Sequence, residues 1–168
     1  SVLNNVHLVI ANSEFTKKLA IEKGVKPELI NVINPGVNPV KDIDKNYLNK
    51  AEDLMLNKSP RIITVSRFDK RKNHEKVIMA IRNLKQIYPN IIYVCVGYGE
   101  EEEKLKKLSK ELMVQDQVLF LNNINQDLKN ALVSKSNIFV MPSIIYKKSV
   151  EGFGIAFVEA AQYGIPSI

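Results

Sequence analysis

The sequence predicts an α/β domain built on a doubly wound parallel sheet of the Rossmann-like kind, and three observations carry that prediction. From Pro60 onward, apolar runs at 61–65, 91–96, 117–121, 137–141 and 165–168 alternate with helix-patterned stretches. The runs are nearly all apolar rather than alternating with polar residues, which marks strands buried on both faces, as in parallel sheets. The first helical stretch repeats Val77, Ile78, Ala80, Ile81, Leu84 and Ile87 at helical spacing, so these residues are expected to face the sheet. A strand–helix rhythm of this kind builds a parallel sheet whose ligands bind outside the carboxyl ends of the strands.

Ahead of that rhythm, residues 6–11 read as a short strand. Asn12-Ser13 can cap a helix from Glu14 to Lys23, closed by Gly24. A second strand, Ile30–Ile33, enters the turn cluster Asn34-Pro35-Gly36-Val37-Asn38. Residues 39–60 read as a linker with one polar helix, Lys45–Leu56. Asp42-Ile43-Asp44 lies in this connector without strand context and reads as an incidental charge pair rather than a metal site.

After the strand Arg61–Val65 comes a basic loop, Ser66 to Asn73, with Asn73 as the cap of a helix running to about Tyr88. Pro89-Asn90 turns the chain into the strand Ile91–Val96. Gly97-Tyr98-Gly99 then opens a charged helix from Glu100 to about Met113. Gln117–Leu121 is the third strand, Gln126–Ser134 a short helix and Asn137–Met141 the fourth strand. The loop 142–150 feeds a helix at Ile155–Ala161, with Gly164 as its stop and Pro166 just beyond. Ile165–Ile168 begins a fifth strand, and an end in mid-strand is expected of a piece of a longer protein.

Composition narrows the function classes. The chain has 168 residues, 45% hydrophobic and 25% charged, as expected of a soluble domain with a real core. No apolar run approaches the roughly 20 residues of a membrane span, and no charged-then-apolar leader is present. The single cysteine, Cys95, lies in an apolar run and reads as a buried core residue, which fits a reducing cytosol. The net charge of +6 suits anionic substrates or an anionic membrane surface. Nucleic acid is not expected, because no recognition motif or aromatic–basic interleaving accompanies the charge.

Two of the loops at the strands' carboxyl ends carry chemistry. Arg67 and Lys72 follow a buried strand, and a guanidinium fork with an ammonium point charge suits a pyrophosphate. In the second loop, Gly152 and Gly154 bracket Phe153 just before the helix at Ile155. Glycines there let a ligand approach the backbone, and the first-turn amides suit an anion. Glu159 lies roughly 9 Å further along if the helix starts near Phe153, within reach of a ribose diol. Gly97-Tyr98-Gly99 lacks the third glycine of a dinucleotide fingerprint. His7 and His74 have no partners at metal-ligand spacing and are expected to be structural or surface residues. No nucleophilic triad is visible.

Glu151-Gly152-Phe153-Gly154, then Glu159-Ala160, then Gly164-Ile165-Pro166, resembles the E-x7-E signature of retaining GT-B glycosyltransferases of group 1 (family 4). Ser66-Arg67 and Lys72-Asn73 match the family's G-R-x-x-x-x-K-G loop, with Ser for the first Gly and Asn for the last. The Pro35-Gly36-Val37 turn resembles the family's N-G-V hinge, with Pro where the family has Asn.

The resemblance implies a division of the chain. Residues 1–40 would be the last βα unit of an N-terminal, acceptor-side domain plus hinge, 41–59 a linker, and 60–168 a nucleotide-sugar-binding domain. It implies transfer of a sugar from a UDP- or GDP-sugar to a glycan or lipid acceptor with retention, without a metal or other cofactor. Arg67, Lys72 and Glu151 would be catalytic. Ser66, Gly97, Gly152, Phe153, Gly154, Ile155 and Glu159 would hold the donor. The acceptor would be reached through the N-terminal domain, in the cytoplasm, with peripheral contact at the inner face of the membrane as a further option. A nucleotide-sugar epimerase of the same fold and a non-catalytic nucleotide-sugar-binding module are the alternatives.

Overall fold

The computed structural model describes residues 5–39 and 42–168, so the expected boundary at residues 40 and 41 lies outside the described residues. The chain forms two compact units. One comprises Ser1–Asn38 with Glu151–Ile155, the other Pro39–Val150 with Ala156–Ile168.

In the first unit, β1 (Val9–Ala11) and β2 (Ile30–Val32) pair in parallel, with α1 (Glu14–Glu22) between them in sequence. The helix starts where Ser13 accepts from the Thr16 amide while the Thr16 hydroxyl accepts from the Ser13 amide, a reciprocal capping box. Gly24 adopts a φ of +84° just past its end. Ala11, Val25 and Ile30 form a small core, whereas Leu8, Ile10 and Ile33 are exposed.

The second unit is a parallel sheet in the order β5-β4-β3-β6. Its strands are β3 (Arg61–Val65), β4 (Ile92–Val96), β5 (Val118–Leu121) and β6 (Ile138–Phe139). The expected fifth strand is a short parallel extension beside β6, where the Phe139 amide donates to Pro166 O and the Ile168 amide donates to Phe139 O. Alternate residues of the strands face opposite ways, as the pleat requires. Ile62, Tyr93 and Cys95 pack with Ile78, Ile81 and Leu105 of α3 (His74–Leu84) and α4 (Glu102–Glu111). Ile63, Val94 and Phe139 pack with Leu128, Leu132 and Ala160 of α5 (Gln126–Ser134) and α6 (Ile155–Ala161). Burial raises the pKa of the Cys95 thiol, which is inert in this core.

The structure shortens several expected elements, the strand over 6–11 to Val9–Ala11, that over 137–141 to Ile138–Phe139 and the connector helix to Lys45–Leu54, and it differs further as follows. The polar helix of the connector, α2 (Lys45–Leu54), is packed: Ala51 and Met55 are fully buried against the α5 side of the sheet. Its Arg61 anchor is bidentate to Glu52 and also donates to Met55 O. Helix α3 stops at Leu84 rather than near Tyr88, its end tightening into three-residue turns in which the Gln86 amide donates to Asn83 O and the Ile87 amide to Leu84 O. As a result Ile87, expected to face the sheet, is 70% exposed, and Ala80 is exposed as well. Helix α4 begins two residues late because the Glu101 amide donates to Phe68 O and the Glu102 amide to Gly99 O. Asn73 is no side-chain cap. It holds a left-handed backbone (φ 59°, ψ 34°) between a 3-10 turn at Lys70–Lys72 and α3.

Candidate functional site

The strand order places β3 at the centre, with the chain winding first through β4 to β5 and then returning to β6 on β3's other side. The reversal falls between β3 and β6, and in open parallel sheets that crevice at the carboxyl ends is where ligands bind. Lys72 stands there. Its side chain is mostly buried, at 8% exposure for the residue, and Nζ lies 3.3 Å from Sδ of Met141, just past β6.

The basic loop is tied across this crevice at several points. Asn73 Nδ2 donates to Pro142 O at 3.1 Å, and the Ile144 amide donates to Arg71 O at 2.8 Å. Asp69 starts the 3-10 turn by accepting from the Lys72 amide at 3.1 Å. The left-handed Asn73 that follows explains its identity, because Gly or Asn takes that conformation at least cost. Arg67 is exposed, with Asp69 Oδ2 3.4 Å from its guanidinium. Lys70 lies instead over the Tyr146 ring. A cavity of about 220 Å³ beside Lys70 and Tyr146 mixes Lys70 and Lys76 with Asp69, Glu75 and Glu101, so it offers no net positive field for a diphosphate.

The loop after β4 fixes the loop after β3. Phe68 is fully buried, its amide donating to Tyr98 O and its carbonyl accepting from Glu101. Gly97 and Gly99 run against it with φ of +146° and +158°. A Cβ on Gly97 would sit on the Ser66 carbonyl oxygen, and one on Gly99 would lie 2.7–2.8 Å from Phe68 C and N. The pair of glycines therefore lets two loops lie backbone to backbone, bringing Ser66, Arg67, Lys72 and Gly97 into one neighbourhood.

Behind them lies a polar chain that sequence reasoning missed. His74, 2% exposed, contacts Ser66 Oγ through Nε2 at 2.9 Å and Tyr93 Oη through Nδ1 at 2.8 Å. Tyr93 Oη meets Thr64 Oγ1 at 2.8 Å, and Thr64 donates to Val140 O. A signal was available: Thr64 and Tyr93 bear the hydroxyls of β3 and β4, which apart from Arg61 are otherwise apolar.

Burial lowers the His74 pKa to about 4, opposed first by a hydrogen bond to the Arg67 backbone and then by Asp69, and reinforced by Lys72. The unfolded chain takes up this proton near pH 6.5 while the folded chain refuses it until about 4. His74 thus contributes stability that is complete above pH 6.5 and lost as pH falls through 4, about 3 kcal/mol in all. Urea unfolding between pH 7.5 and 4.5 should show this decline, and His74→Gln should flatten it. Below pH 4.5, Glu52, lowered by its Arg61 hydrogen bond, and Glu102, lowered by Lys106, add their own losses.

Glu159 sits on α6 with both carboxylate oxygens 3.1 Å from Lys129 Nζ of α5. A carboxylate has about four lone-pair sites, so the lysine leaves acceptor capacity on each oxygen. Glu151, Gly152, Phe153, Gly154 and Ile155 belong to the first unit. There Ser13 Oγ donates to Gly152 O, and a Cβ on Gly152 would lie 2.9 Å from Asn12 Nδ2. Gly154 has φ +79° at the entry to α6. Helix α6 spans Ile155–Ala161, barely two turns. Asp44 caps α2 by accepting from the Asn46 amide, and no cluster of His, Cys, Asp and Glu among the described residues could hold a metal. No helix among those residues is long and apolar enough to cross a membrane.

Comparison with known proteins agrees with this architecture. The family model "Glycosyl transferases group 1" matches residues 45–168. An uncharacterized glycosyltransferase of Haemophilus influenzae is 29% identical over 160 residues, 95% of this chain and 40% of that protein. A GDP-mannose-dependent alpha-(1-6)-phosphatidylinositol monomannoside mannosyltransferase of Mycobacterium tuberculosis is 30% identical over 115 residues, 67% of this chain and 30% of its own length. The chain thus spans well under half of the curated relatives it matches. The crystal structure of Anabaena HepE in complex with UDP-glucose superposes with a TM-score of 0.81 at 25% identity, covering 99% of this chain and 45% of that one. Sheet order, loop architecture and family match converge: the chain belongs to the group 1 glycosyltransferases and has the Rossmann-like fold of the C-terminal half of a GT-B enzyme.

Proposed function

We propose that the chain supplies the donor-binding half of an enzyme that moves a sugar from a nucleoside-diphosphate sugar to a glycan or lipid acceptor, with retention at the anomeric carbon. The observation that carries this reading is Lys72 at the strand-order reversal, mostly buried, with Arg67 exposed on the same loop. Two cations fixed at a ligand crevice suit a diphosphate, whose charge grows as the glycosidic bond breaks. Ser66 and Gly97 shape the loop, and Glu159 accepts from the ribose hydroxyls.

On the family pattern, Glu151 contacts the transferring sugar and Gly152 to Ile155 present backbone to the donor. Exposed Leu8, Ile10 and Ile33, in and beside β1 and β2, suit a strand pair covered by further acceptor-side structure, since parallel strands are ordinarily covered on both faces. Lys147 and Lys148 beside exposed Ile145 suit peripheral contact with an anionic membrane on the cytoplasmic side.

The loop cations make a divalent ion unnecessary for binding. Calorimetry with UDP, GDP and their glucose and mannose derivatives, in the presence of a chelator, should give binding to one nucleotide series. A strict requirement for magnesium or manganese, or no binding to either series, would contradict the reading.

A further inference from the structure

We propose that His74 is a positioning residue: locked as its Nδ1–H tautomer by Tyr93 and Thr64, it fixes the Ser66 hydroxyl and so holds the loop that aims Arg67 and Lys72 at a diphosphate. The diphosphate half of this inference rests on the donor reading above; the tautomer half rests on hydrogen-bond directions alone.

Those directions follow from one end of the chain. Val140 O is a carbonyl and can only accept, so the Thr64 hydroxyl hydrogen is committed to it. Thr64 Oγ1 must then accept from Tyr93 Oη at 2.8 Å. Tyr93 has a single hydrogen, now used, so it accepts from His74 Nδ1 at 2.8 Å. A neutral imidazole with hydrogen on Nδ1 has a bare Nε2, which accepts from Ser66 Oγ at 2.9 Å. With the Thr64 hydrogen on Val140 O, this arrangement satisfies Thr64, Tyr93 and both ring nitrogens together, and the Arg67 backbone is the ring's competing partner. Phe68 packs edge-on against the imidazole at 5.0 Å and 84°, which fixes its plane as well.

The consequence falls on the loop. Ser66 is its first residue and His74 begins the helix after it, so this bond staples the start of the cationic segment to its end. Ser66 Oγ also lies 3.2 Å from Arg67 O, a competing acceptor for the same hydrogen. While Nε2 is bare the hydrogen goes to His74. If the ring carried its hydrogen on Nε2, Ser66 would accept from the ring and turn its own hydrogen to the Arg67 carbonyl. The tautomer therefore selects between two settings of the peptide that carries Arg67. A leucine or phenylalanine could fill the volume of His74 but could not make that selection.

The test has two arms. The chain holds two histidines, so nitrogen NMR with a His7→Gln variant for assignment reads His74 directly. Neutral His74 is expected as Nδ1–H at pH 7, with the Nε2–H form appearing in Tyr93→Phe. In calorimetry, Tyr93→Phe and Thr64→Val should weaken UDP or GDP, whichever the unaltered chain binds, by roughly tenfold. The same variants should leave the affinity for uridine or guanosine unchanged. If Tyr93→Phe fails to fold, Ser66→Ala breaks the same staple at a partly exposed residue and should give the same split.

An Nε2–H tautomer in the unaltered chain would overturn the lock. Folded variants with unchanged diphosphate affinity, or with equal losses on nucleoside and diphosphate, would overturn the positioning role. Absence of any diphosphate binding by the unaltered chain would instead sink the donor reading, and the aiming role with it, while the NMR arm still decides the lock.

Discussion

Replacing Gly97 by alanine should cost the second unit about 4 kcal/mol, at the upper end of single-substitution effects. Two terms add. A left-handed φ of +146° is strained for any residue with a Cβ, on the order of 1–3 kcal/mol. The added methyl would also sit on the Ser66 carbonyl oxygen and 3.0 Å from its carbon. Neither backbone is free to retreat, because the Ser66 amide donates to Val96 O and the Gly97 amide to Leu121 O, both at 3.0 Å. Gly24 and Gly164 separate the terms: their φ values are +84° and +70°, with nothing within 4 Å of a built Cβ. Alanine at those positions should cost only strain, about 1–2 kcal/mol. Urea midpoints for the three variants would test this, and a Gly97→Ala loss no greater than that of Gly164→Ala would refute the steric argument.

Lys72→Met should lower kcat of the complete enzyme by about a hundredfold or more, the scale seen when one preorganised transition-state contact is removed. Methionine keeps the volume beside Met141 and removes the ammonium charge with its donors. Because charge on the leaving diphosphate grows in the transition state, the loss should fall on kcat more than on KM. Arg67→Ala should act in the same direction but less strongly, since its exposed guanidinium is partly screened by water. Single-turnover kinetics with saturating donor would check the order, and an effect confined to KM would contradict it.

The parallel sheet was legible because strands buried on both faces are written as continuous apolar runs, and Arg61–Val65 and Gln126–Ser134 have the expected bounds. Helix ends were less legible, since they are set by contacts from elsewhere, as when Phe68 O captures the Glu101 amide and delays α4. Asn73 was read as a cap from its type alone. Its side chain instead donates to the Pro142 carbonyl, sixty-nine residues away. The site's components were legible as charges and glycines near strand ends, but their supports were not. Lys129 reaches Glu159 across thirty residues, and the Thr64–Tyr93–His74–Ser66 chain crosses two strands and a helix. Hydrogen bonds of that span leave no periodic trace in a sequence.

The central claim is that Arg67 and its loop hold the phosphates while Glu159 holds the ribose. Calorimetric affinities of nucleoside and nucleoside diphosphate for Arg67→Ala and Glu159→Gln test it most directly. Glu159→Gln should weaken both ligands alike, by about 1–2 kcal/mol, as a charge-assisted bond becomes a neutral one. Arg67→Ala should spare the nucleoside and weaken the diphosphate. Equal losses on both ligands for Arg67→Ala would contradict the account.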